Sequence, residues 1–365
     1  MTVLRHLRDS GWSPFVPLLL TFVVFFAFIG SRSLVECDKP GAGCQKAHIS
    51  ALVRADTSVA FGAHTANYVS VDRLRGGDSV RVRALGIAAK RQSGRLVWAF
   101  FVGVSLATTL TAYIVSWLLL LPSAGERPRR TQLYFAGVLG LSLVLGGVLL
   151  VSPEGHMNLM LDVLKETIGS ARTLGAVEPA ERLINFITSF EQAAALALVL
   201  SCSLLLLPAK ARDTAMTNDP ETILRRELRP TLHRIEMLRV FLYSSTIFLI
   251  VGVLRMQATG SWVVTFVHPQ EAGALDGVLQ TLSWVMGAFY SLILTAVYLP
   301  TAYILRARAA AAIADSGAER EFKEAVASEG GLAQPIGASI ARIAALLGPL
   351  LAAGPISYFV KLMGG

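Results

Sequence analysis

Two charged side chains stand where apolar helices are expected, and they suggest electrostatic chemistry inside a greasy environment. Glu191 lies 16 residues before Leu207, and Arg255 lies 15 residues after Val240. At about 1.5 Å per helical residue, both sit about 22 to 24 Å from the same end of antiparallel helices. The register predicts an interfacial ion pair. The alternative is that each side chain snorkels separately to water. A second constellation is neutral: Ser105, Thr109, Ala112 and Ser116 fall on one helical face, and Ser283, Gly287, Ser291 and Thr295 on another, with Tyr290 and Tyr298 nearby. Such small, hydroxylated faces let helices approach closely and hydrogen-bond across the contact. The same faces can line a narrow polar path, so Ser105, Thr109, Ser116, Ser283, Ser291 and Thr295 are the candidate pore residues.

Cys37 and Cys44 flank Asp-Lys-Pro-Gly-Ala-Gly, a turn-rich hexapeptide able to bring two thiols together, so a small disulfide loop is expected there, with two unpaired thiols as the other reading. A basic patch follows at Arg225, Arg226, Arg229 and Arg234, expected on a helix that starts at Pro220 after an Asp219 N-cap and faces anionic headgroups. No nucleic-acid partner is expected, because neither a glycine-rich phosphate loop nor stacking aromatics accompany the patch. The six histidines form no i, i+4 pair, and no nucleophile elbow, Walker sequence or dinucleotide fingerprint is present. The chain therefore reads as non-enzymatic, with no metal and no cofactor.

These residues must be positioned by membrane-embedded helices. Over 365 residues, 53% are hydrophobic and 16% charged, and the mean hydropathy is +0.56. That is too apolar for a water-exposed surface and excludes a disordered chain. A span needs about 20 apolar residues to cross about 30 Å of hydrocarbon. Six runs meet that need: Trp12 to Ile29, Leu96 to Leu121, Leu133 to Val151, a stretch ending at Leu207, Val240 to Leu254 with its flanks, and Val278 to Leu305. The first follows Arg5 and Arg8 but lacks a small-x-small cleavage pattern, so it reads as an uncleaved anchor.

Lys and Arg in short loops set orientation. Seven basic residues from Lys210 to Arg239, together with Arg306 and Arg308, belong on the cytosolic side, which gives N-in and C-in. The segment from Gly30 to Arg95 dissents with eleven basic residues, although loops of that length largely escape the rule.

The expected fold is thus all-α: a polytopic integral membrane bundle of six spans in a bacterial-type inner membrane. Its segments are 1–29, cytosolic tip and first span; 30–95, extracytosolic helical insert; 96–151, spans two and three; 152–190, an extracytosolic loop with an amphipathic helix from Met157 to Ile168; 191–207, span four; 208–239, basic cytosolic loop; 240–305, spans five and six; and 306–365, cytosolic helical tail. In the tail, Ile336, Ile340, Ile343, Leu347 and Leu350 recur at spacings of four, three, four and three, a seam for a partner helix. A seventh span over 343–360 is available by length, but Gly348, Pro349, Gly354 and Pro355 favour an apolar hairpin docked at the inner face.

Function follows the architecture. The chain is expected to contact membrane lipids and to be a subunit of an oligomeric channel or signalling assembly, associating through its span faces or its tail. A structural subunit of a membrane complex and a small-solute transporter are the alternatives. The transporter gains ground if a polar residue proves deeply buried between spans two and six.

Overall fold

The computed structural model describes residues 15–21, 23–24, 78–120, 133, 137, 140, 177–206, 220–265, 267, 269–315 and 336–354. Almost all of them are helical, and no strand occurs among them. Five helices organise the chain: α1 (Asp78–Leu120), α2 (Val177–Leu204), α3 (Pro220–Val264), α4 (Pro269–Asp315) and α5 (Ile336–Ala353). The first four contain stretches long and apolar enough to cross a membrane: Ala89–Leu119, Leu183–Leu204, Leu228–Val264 and Ala272–Ala314. The expected spans at Leu133 to Val151 and, for the most part, Trp12 to Ile29 lie outside the described residues. So do Cys37, Cys44 and the Met157 to Ile168 helix.

Helix α3 is the hub. It packs along α1 and α4, α2 leans on α1, and α5 lies in the groove between α3 and α4. Two apolar clusters mark the two ends of the bundle. At one end Trp98, Ile187, Trp262 and Leu275 pack together, with the Trp98 and Trp262 rings stacked at 4.8 Å. There Gly94 gives α1 room to approach α3, since a Cβ at that position would lie 3.3 Å from Trp262 Cα. Nearby, Arg91 Nε donates to Thr265 O at 3.2 Å, a cation meeting the carbonyl-rich end of α3. The other cluster, which includes Leu119, Leu206, Phe241 and Leu305, extends to the opposite end. Arg308 Nη1 donates to Leu206 O at 2.7 Å there, and so satisfies a carbonyl just past the end of α2.

Several expected boundaries fall inside continuous helices. The division at 95/96 cuts α1, that at 190/191 cuts α2, and that at 239/240 cuts α3. The reason is length. At about 1.5 Å per residue, the 43, 45 and 47 residues of α1, α3 and α4 run to about 65 to 70 Å, more than twice the hydrocarbon thickness. Charged residues at 81–95 thus stand on the same helix as the apolar stretch that follows.

The tail also needs correction. α5 packs lengthwise alongside Thr246 to Gln257 of α3 and Ser291 back to Trp284 of α4, and the second arm of the expected hairpin lies outside the described residues. Its large seam residues Ile343 and Leu347 are exposed, while Ala345, Gly348, Ala352 and Ala353 face the bundle. Lipid is as apolar as leucine, so the close-packing small face, not the bulky one, gains by turning inward.

Candidate functional site: a buried charge pair and the helix that inserts beside it

Helix α3 carries Arg255 nine residues before Val264, and α2 carries Glu191 eight residues after Leu183. Each therefore lies about 12 to 14 Å inside one end of its apolar stretch. α3 continues nine residues past Arg255 to Val264, so Arg255 does not end its helix as expected, and the two side chains do meet. The guanidinium grips the carboxylate with two parallel bonds, Nε to Oε1 at 3.0 Å and Nη2 to Oε2 at 2.6 Å. Only 9% of the Arg255 side chain and 12% of the Glu191 side chain are exposed. Such fork geometry is the strongest form of carboxylate recognition.

Two hydroxyls complete the shell. Ser105 of α1 donates to Glu191 Oε1, and Arg255 Nη2 reaches Thr188 Oγ1 of α2 at 3.3 Å. Tyr290 of α4 lies close enough to feel both charges. Four helices thus meet around one embedded ion pair. A buried pair gains little over well-packed apolar side chains, whereas loss of one partner is costly.

Other members of the two polar faces are placed differently. Thr109 and Ser116 are buried and donate to the carbonyls of Ser105 and Ala112 on their own helix, at 2.7 and 2.8 Å. Ser283 donates to Leu279 O at 3.0 Å, and Thr295 to Ser291 O at 2.7 Å. The two faces do not meet within the chain: the Ser105 face turns to α2, and the Ser291 face turns to α5. The basic patch divides as well. Arg229 is exposed, whereas Arg234 is buried at 6% exposure and does not face outward as expected; its helix continues into the bundle and takes it inside. The side chains of Arg225 and Arg226 lie outside the described residues.

Sequence reasoning missed the partners of α5. Pro349 has no N–H, which frees the carbonyl of Ala345 four residues earlier. Thr246 Oγ1 lies 3.0 Å from that carbonyl and shares its one proton between it and Leu242 O of its own helix at 2.7 Å. The adjacent Leu350 N–H donates to Ser291 Oγ at 3.2 Å, and Gln257 Nε2 closes the helix end by donating to Ala353 O at 3.0 Å. Backbone freed at membrane depth is tolerated only where protein satisfies it, and three side chains of α3 and α4 do so here. Glycines permit the approach: a Cβ on Gly287 would fall 2.7 Å from Pro349 O and 3.1 Å from Leu350 Cα. The readable signal was Thr246, Gln257 and Ser291, polar groups on otherwise apolar helices.

No protein-family model, no curated protein and no solved structure matches the chain. The site itself must carry the functional reading.

Proposed function

We propose that the protein is a non-enzymatic, multi-pass protein of a bacterial-type inner membrane that moves a small polar or charged solute past the Glu191–Arg255 pair. One observation supports this reading: a largely buried bidentate ion pair, contacted by Ser105 and Thr188 and with Tyr290 nearby, packed between long apolar helices. Ionisable groups inside a membrane are expensive, and a functional pathway is the default explanation for them. The pair lies between the helices expected as spans two and six, the placement that favours transport over a passive scaffold. A channel lined by the serine and threonine faces has less support, because those hydroxyls are engaged in packing and in bonds to backbone. In this reading the pair is a lock. An incoming charged group competes for Arg255 or Glu191, and release of the lock lets α2 and α3 shift against one another.

Reconstitution in liposomes tests this. Uptake across a panel of organic anions, organic cations and inorganic ions should saturate for one class. It should be abolished when Glu191 and Arg255 are replaced together by Leu and Met, a change expected to leave the fold intact. Non-saturating conductance would assign the protein to the channel class. Absence of all flux from properly folded protein would refute transport and leave a structural or signalling subunit.

A further inference from the structure

At the end of the bundle that holds Leu305, three arginines from three helices converge on one cleft: Arg239 of α3, Arg306 of α4 and Arg342 of α5. Each borders an apolar run, since Val240 follows Arg239, Leu305 precedes Arg306 and Ile343 follows Arg342. All three therefore stand at one level of the bundle. Leu238 and Ala302 contribute apolar wall, and the buried Tyr298 adds a hydroxyl.

Among the described residues, no acidic side chain lines the cleft. Arg239 Nε and Nη2 are shielded from solvent and have no hydrogen-bond partner, and none of the three arginines forms an ion pair among the described residues. Elsewhere in the bundle embedded arginines are engaged: Arg255 holds Glu191, Arg91 holds Thr265 O and Arg308 holds Leu206 O. Three like charges gathered without an acid repel one another, and buried guanidinium nitrogens without acceptors are costly. An oxyanion with several acceptor oxygens removes both penalties, and planar guanidinium forks match phosphate geometry.

We propose that Arg239, Arg306 and Arg342 form a binding site for a phosphate mono- or diester anion, with the Tyr298 hydroxyl as a further donor. The enclosed part of the cleft is only about 10 Å³, room for about one water, so a phosphoryl group would sit at its open mouth, against the guanidinium groups, and not inside it. A phospholipid headgroup or free phosphate supplies this chemistry. Occupancy pins α5 to α3 and α4 at the end opposite the Gln257 contact, so the ligand helps to hold the inserted helix in its groove.

The test uses the full chain purified in mild detergent and follows thermal unfolding under three additions: phosphatidylglycerol, phosphatidylcholine and inorganic phosphate. Wild-type protein should gain several degrees with phosphatidylglycerol and little with zwitterionic phosphatidylcholine, by linkage of binding to folding. A comparable gain with inorganic phosphate would identify a free anion as sufficient, whereas a gain with the lipid alone would identify the headgroup. The R239Q/R306Q/R342Q variant should lose the shift, and R95Q, which changes an exposed arginine of α1 outside the cleft, should keep it. Should the triple variant fail to fold, R342Q alone should weaken retention of the anion by roughly tenfold or more, the worth of one charged hydrogen bond. The proposal is overturned if neither anion shifts wild-type protein, or if the arginine-depleted variant responds as strongly as wild type.

Discussion

Two arginine sites in one bundle are resolved in opposite ways. Arg255 is matched within the chain: a carboxylate, a serine and a threonine complete its surroundings. Among the described residues, Arg239, Arg306 and Arg342 gather without a carboxylate, and two guanidinium nitrogens of Arg239 have no acceptor. The first site is closed and costly to open, whereas the second is incomplete until an anion arrives. The difference shows that buried arginine has no fixed meaning in a membrane helix, because its role is set by whether the chain supplies the opposite charge.

The largest effect that sharpens this contrast is expected at the closed site. Glu191→Gln strands the guanidinium and should lower stability by about 3 to 5 kcal/mol in reversible unfolding. Removing both charges as Glu191→Leu with Arg255→Met should recover most of that loss while solute uptake stays abolished. A double variant no more stable than the single one would show that the pair acts only as structure. Next in size is the groove beside both sites. Gly287→Val drives methyl groups into Pro349 O and Leu350 Cα and should cost about 1 to 3 kcal/mol. Protease accessibility of α5 should rise with it.

A smaller effect is expected at Thr246→Val, which removes the hydroxyl bonded to Ala345 O and should cost about 1 kcal/mol or slightly more. Smallest of all is Arg342→Gln in neutral detergent. No partner is lost and like-charge repulsion falls, so stability should stay within about 0.5 kcal/mol of wild type. A large loss there would reveal a partner within the chain and remove the contrast between the two sites.

Much of this was legible from the sequence, for physical reasons. Four apolar stretches announce themselves by length, and the meeting of Glu191 with Arg255 follows from counting residues along antiparallel helices. The expected edges failed where helices outrun the bilayer, since Arg91 and Arg95 look like loop charges although α1 passes straight through them. The fate of α5 was hidden more deeply. Gly348, Pro349 and Gly354 argue against an embedded helix when read locally. Their compensation lies in Thr246, Gln257 and Ser291, 59 to 99 residues away, which no local pattern connects to them. Arg234 illustrates the same limit, for a basic helix face gives no sign of which arginine its neighbours will cover.

The groove that receives α5 also dictates an order of assembly. α3 and α4 leave the ribosome before α5 does, so Thr246, Gln257 and Ser291 first meet lipid without the backbone groups that they later satisfy. Until α5 arrives, the Gln257 amide and the Ser291 hydroxyl lack the backbone partners that they take in the finished bundle, so the last described helix completes the polar pairing of the two before it.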